Sequence, residues 1–189
     1  MSGEHAYVPN MTTPLMTAEQ LLETSIPNKC TELVRGVLVV REPPGGRHGS
    51  VTMNLTLQLC IHVQREAAGQ LFAAETGFTL FRGPDTVRAP DIAFVRRERV
   101  PDPISVGYVD LAPDLVVEVL SPRDRPGETL AKVADWLEAG ARLVWVIDPE
   151  RRVARVYRPD GTESHLGDDG ALDGEDVLPG FACILSGIL

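Results

Sequence analysis

Residues 113–122 read Pro-Asp-Leu-Val-Val-Glu-Val-Leu-Ser-Pro. The run between the prolines is too short and too β-branched for a helix, and Leu115 to Leu120 fits a covered strand. Glu118 interrupts it, and a carboxylate inside an apolar strand is costly to bury unless something cationic compensates it. The same pattern occurs upstream, where Arg88-Ala-Pro-Asp-Ile-Ala-Phe-Val places Asp91 at the head of a strand running to Val95. Two such acids, followed by a lone lysine at Lys132, suggest a site for a hard cation such as magnesium, which takes oxygen ligands.

The pattern on either side completes a fold. After Pro126 a helix is expected, with Leu130, Val133, Ala134 and Leu137 as its buried stripe and an end near Gly140. On that wheel Lys132 lies roughly 150° from the stripe and would face solvent. Leu143 to Ile147 is the near-continuous apolar run of a covered central strand, and Val153 to Tyr157 alternates. Asp148-Pro149-Glu150 makes the turn between them. Upstream, a long helix is expected from about His48 to Ala68, with Val51, Leu55 and Leu59 on one stripe and Gly69 as its stop. Strands at Leu71 to Ala74 and Phe78 to Phe81 follow it. Nearer the N-terminus, Leu33 to Arg41 reads as a strand pair around Gly36, and Thr17-Ala18-Glu19-Gln20 as a capping box opening a short helix that carries Leu21 and Leu22. Residues 1–16 read as a loose arm and 17–189 as one domain. Asp160 to Asp176 is expected to be an exposed loop or weak hairpin before a closing element at Leu178 to Leu185. The central order is helix, three strands, helix, strand: an α/β fold with a mixed sheet flanked by helices and extra strands at both ends.

Composition narrows the function. The chain has 189 residues and is 43% hydrophobic, enough for one sizeable core. No apolar stretch is long enough to span a membrane and no basic leader precedes an apolar segment, so a soluble, cytoplasmic protein is expected. Cys30, Cys60 and Cys183 lack the spacing of a disulfide framework or a zinc site. The net charge of −9 argues against simple nucleic-acid binding, yet residues 159–189 hold seven acids and no Lys or Arg, which leaves the body near neutrality. That body carries arginine clusters at Arg96, Arg97 and Arg99, at Arg123 and Arg125, and at Arg151, Arg152, Arg155 and Arg158, which could contact phosphate. An aromatic content of 5% counts against a carboxylate-pair glycosidase with a sugar-stacking cleft.

Several motifs recur along the chain: Glu32-Leu33 before the glycine-containing strand at Gly36, His48 near the start of the long helix, Pro90-Asp91, Glu118 to Pro122, Lys132 followed by Trp136, and Gly140 before Trp145 to Pro149. In this order they resemble the PD-(D/E)XK restriction-endonuclease-like superfamily, and most of all its large Uma branch of restriction endonucleases. The common superfamily form places a lysine two residues after the glutamate, where this chain has Leu120. The resemblance implies that Lys132 has taken over that role. It further implies a metal-dependent endonuclease that hydrolyses DNA, with Mg²⁺ or Mn²⁺ held by Asp91, Glu118 and the backbone carbonyl of Val119. Glu32 and His48 are further catalytic candidates, Arg123 and Arg125 are candidates for phosphate binding, and a homodimer suits cleavage of both strands.

Each residue also has a plainer reading. Asp91 could cap a turn after Pro90, and Glu118 could pair with an arginine. Lys132 could be solvated and Glu32 a strand-end surface acid. His48, pushed toward neutrality at a helix N-terminus, could be structural. Trp136 and Trp145 read as core packing. The rival function is a nuclease-like fold that no longer cleaves and serves as a binding module for nucleic acid or protein.

Overall fold

The computed structural model describes residues 14–189. The expected N-terminal arm falls mostly on residues 1–13, outside the described residues. Met16 donates its backbone N–H to the Gly36 carbonyl at 2.8 Å. Helix α1 (Ala18–Glu23) then begins with the capping box read from the sequence: Thr17 accepts from the Gln20 N–H, and the Gln20 side chain reaches back to the Thr17 N–H. Leu21 is buried, whereas Leu22 faces solvent.

Strands β1 (Cys30–Val34) and β2 (Val37–Arg41) form an antiparallel hairpin joined by Arg35 and Gly36, both at positive φ. That is the two-residue turn whose twist matches the strands it joins. Helix α2 (Gly46–Glu66) covers the expected segment, but Gly69 does not stop it. Ala67 takes the left-handed position, while Gly69 opens strand β3 (Gly69–Ala73), where a Cβ would stand 2.1 Å from the Val95 carbonyl. This glycine is required by close backbone approach rather than by helix termination.

Strands β4 (Phe78–Phe81) and β5 (Thr86–Arg88) join the hairpin in a four-stranded antiparallel sheet, in the order β2-β1-β5-β4. The remaining long strands are β6 (Ile92–Arg96), β7 (Leu115–Val119), β8 (Leu143–Asp148), β9 (Val153–Tyr157) and β10 (Glu163–Leu166). With β3 they make a six-stranded mixed sheet, in the order β10-β9-β8-β7-β6-β3. Only β7 and β8 run parallel, and the crossover between them is helix α3 (Pro126–Glu138).

The period of two along β7 decides which side each residue serves. Leu115, Val117 and Val119 pack with Val51, Leu55 and Leu59 of α2 on one face. Val116 packs with Val133 and Trp136 of α3 on the other, which is the face that Glu118 also takes. The stripe expected on α3 is therefore displaced: Leu130 is 49% exposed and Ala134 is exposed, while Val133, Asp135 and Trp136 are buried. Val133 and Leu137 of the expected stripe do face the core, but the same face also carries Lys132 and Asp135 to charged groups of the sheets, which an apolar-stripe reading does not find.

The acidic segment also departs from expectation. It forms β10 against β9, then β11 (Ala171–Asp173) paired with β12 (Ala182–Ile184), with Leu172, Val177 and Leu178 in the core. Three of its acids pair with arginines offered above as phosphate contacts, Asp168 with Arg152, Glu163 with Arg155 and Glu175 with Arg158, and a fourth, Asp176, pairs with Arg142. Among the described residues no helix is long and apolar enough to cross a membrane.

Candidate active site

A cleft of about 440 Å³ opens between the β1–β2 hairpin, the first turns of α2 and the turn after β3. Glu32, His48, Asp91, Glu118, Val119 and Lys132 all line it. Arg123 and Arg125 do not: both are exposed on the loop between β7 and α3, and the Arg125 side chain is 81% exposed. Asp114 is buried elsewhere, where it accepts from the Arg96 N–H and pairs with Arg99.

Glu118 is held from α3. Its Oε1 accepts from Trp136 Nε1 at 2.9 Å and its Oε2 from Lys132 Nζ at 3.1 Å. Lys132 and Trp136 stand four residues apart, hence on one face of the helix. Lys132 Nζ also lies 3.1 Å from Glu32 Oε1, and its side chain is 13% exposed, so the lysine is enclosed and not solvated. Burial pushes the Lys132 ammonium toward neutrality, but Glu118 and Glu32 outweigh it and raise the pKa.

Glu32 is likewise no surface acid. Pairing of Leu33 with Val87 sets it beside Arg88, whose Nη1 donates to Glu32 Oε2 at 3.0 Å. The Ala89 N–H donates to Oε1 at 3.2 Å. Burial raises the Glu32 carboxyl, and Lys132, Arg88 and the Ala89 amide more than reverse this, leaving its pKa below the usual range. Arg88 also grips Asp135 of α3, through Nε at 3.0 Å and Nη2 at 2.6 Å. One buried guanidinium thus ties the small sheet to the helix that carries Lys132.

Glu118 behaves in the opposite way. Burial, together with the negative charge of Asp91 and Glu32, lifts its pKa to about 6 despite the help of Lys132 and Trp136. This end of the cleft has more negative charge than its cations neutralise.

Asp91 sits where β6 begins. Its Oδ2 accepts from the Val119 N–H at 2.7 Å and lies 3.1 Å from His48 Nε2. His48 is therefore not driven to neutrality by its place in the first turn of α2. Burial lowers its pKa, and the hydrogen bond and charge of Asp91 reverse the effect and raise it. Among the described residues no three His, Cys, Asp or Glu side chains are grouped as a ready-made metal cage.

Arg41, Arg88 and Asp135 were missed by sequence reasoning, and Trp136 enters it only as core packing and as the aromatic that follows Lys132. Arg88 could have been suspected from its place two residues before Pro90-Asp91. Nothing in the local sequence marks Arg41 or Asp135.

A mixed sheet with a single parallel pair crossed by a helix, and with acids and a lysine gathered at one end of that pair, defines a restriction-endonuclease-like fold. A family model described as "Putative restriction endonuclease" (Uma2) matches residues 18–186, and the chain belongs to that family. The chain is also similar to a solved structure from Anabaena variabilis, described as a putative nuclease, with a TM-score of 0.80 and 19% sequence identity. The match covers 92% of this chain and 97% of that one, and at this identity it bears on the fold. No curated protein matches the chain.

Proposed function

We propose that this chain is a metal-dependent endonuclease that hydrolyses DNA phosphodiester bonds, with Asp91 and Glu118 as ligands for Mg²⁺ or Mn²⁺ and Lys132 as the group that assists the attacking water. The observation that carries the reading is Lys132 Nζ at 3.1 Å from Glu118 Oε2, in a cleft that Asp91 also lines. Magnesium is commonly bound through one or two carboxylates and retained waters, so a three-acid cage is not needed. The residues fit such an ion. Oδ1 of Asp91 makes no hydrogen bond among the described residues, and the upward shift of Glu118 comes first from burial and then from the negative charge of Asp91 and Glu32, both of which a bound cation would offset. The Val119 carbonyl, on a residue that lines the cleft, is the proposed third ligand.

When bound, the cation would polarise phosphoryl oxygens and acidify a water. The protein's own contribution is position. An ammonium has three donors, and Glu118 and Glu32 engage two of Lys132's, leaving one for a water or a phosphoryl oxygen. Trp136 fixes the Glu118 carboxylate, and His48 fixes that of Asp91. The reading includes a cytoplasmic homodimer, since cutting both strands of a two-fold duplex suits a two-fold protein.

The rival, a binding module that does not cleave, is favoured by one observation: both oxygens of Glu118 already have protein partners. Titration of Mg²⁺ into the protein with labelled DNA separates the two. Cleavage that requires the ion and falls about 100-fold or more in Asp91→Ala supports the enzyme. Cleavage that survives the substitution, or calorimetry showing no Mg²⁺ binding, removes it.

A further inference from the structure

Three cations line the cleft: Lys29, Arg41 and Lys132. Lys29 is paired with Glu42, and Lys132 is shared between Glu32 and Glu118. Arg41, the last residue of β2, is held differently. Its Nη1 donates one long hydrogen bond to Asp124 Oδ1 at 3.4 Å, while its Nε lies 3.6 Å from Glu32 and its Nη2 3.9 Å from Glu128. Charge-assisted N–H···O bonds settle at about 2.7–2.9 Å, so these carboxylates orient the guanidinium without closing on it. Nε is buried and has no hydrogen-bond partner among the described residues. A buried donor left open is costly, and it shows that the neighbouring carboxylates do not lock this guanidinium in place.

Arg41 is not needed to neutralise Glu32. That carboxylate already has Arg88 at 3.0 Å and Lys132 at 3.1 Å. Arg88 is also a contrast in geometry, with three of its nitrogens within 3.0 Å of carboxylate oxygens. An anion entering beside Glu32, Asp91, Glu118 and Asp124 would be repelled unless a cation met it. A planar guanidinium fork with unspent donors suits a phosphate group, which accepts two parallel N–H bonds.

We infer that Arg41 binds a phosphate of the nucleic-acid backbone in this cleft, on the wall formed by the β1–β2 hairpin. The inference rests on the nuclease reading and adds the residue that receives the substrate.

The test measures binding of a fluorescent DNA oligonucleotide with Ca²⁺ in place of Mg²⁺, to wild type, Arg41→Ala and Arg41→Lys. A matched series of oligonucleotides carries a neutral methylphosphonate at one phosphate each. Arg41→Ala is expected to weaken binding about 10- to 100-fold, as for loss of a hydrogen bond to a charged group, and Arg41→Lys to recover only part of it. At one position the methylphosphonate should weaken wild type to a similar extent and Arg41→Ala no further. Equal binding by wild type and Arg41→Ala, or methylphosphonate losses identical in both at every position, overturns the assignment while leaving the nuclease reading intact. If wild type binds no DNA with either ion, both fall together. Thermal unfolding of each variant checks that the hairpin is retained.

Discussion

The cleft and the C-terminal hairpins use the same partners, a guanidinium or ammonium against a carboxylate, with opposite consequences. Around β9 to β12 Glu163, Asp168, Glu175 and Asp176 each meet a separate arginine, as in Arg152 with Asp168, whose side chains are 43% and 46% exposed. In the cleft Glu32 and Glu118 are under 10% exposed and compete for one lysine. Exposed pairs contribute little, about 0–1 kcal/mol, because water already solvates both charges. Buried ones have given up that water, and removing one partner strands the other. The tail therefore balances surface charge, while the cleft keeps an excess of negative charge where a cation would be useful.

The contrast can be broken at its strongest point with Arg88→Ala. This leaves Glu32 and Asp135 without their common partner, and unfolding in denaturant should show a loss of about 3–5 kcal/mol. A variant within error of wild type would mean that the buried network does not hold the two sheets together.

A smaller effect is expected from pH. Glu118 has a folded pKa of about 6 against an ordinary 4.5, so the folded chain holds its proton more tightly than the unfolded one. The stability this confers is complete below 4.5 and is lost as pH rises through about 6, an effect on the order of 2 kcal/mol. Glu32 runs the other way: its pKa is lowered, so its contribution exists above the ordinary range and disappears on acidification. In EDTA, the difference in unfolding free energy between wild type and Glu118→Gln should fall between pH 4.5 and 6. A flat difference would contradict the raised pKa that burial, with the charges of Asp91 and Glu32, gives Glu118.

The smallest change is expected from Arg152→Ala, under about 1 kcal/mol and reduced further by salt. A loss comparable with that of Arg88→Ala would erase the distinction between the two regions.

Much of the fold was legible because period and punctuation carry it. The strands at Leu115 and Leu143, the long helix over Val51, Leu55 and Leu59, and the Thr17 capping box each follow from residues near in sequence. Strand β5 has three residues, too few for a pattern, although it sets Arg88 beside Glu32. A weak hairpin in the acidic segment was legible, but its share of the core was not, because the strands are short and acidic and Leu172, Val177 and Leu178 stand in turn-rich sequence. Helix α3 misled for a specific reason: the stripe argument assumes a dry inner face, and this helix turns Lys132, Asp135 and Trp136 toward charged partners.

Sequence by itself determined that two acids would sit on successive strands with a lysine on the following helix, because strand length, proline boundaries and helix periodicity are local properties. Only the tertiary structure decided that Lys132 is enclosed between Glu118 and Glu32, that the tail acids occupy Arg152, Arg155 and Arg158, and that Arg41 keeps open donors. Those outcomes depend on which charges meet across distant segments after water is excluded, and electrostatic partnership of that kind leaves no period in the chain.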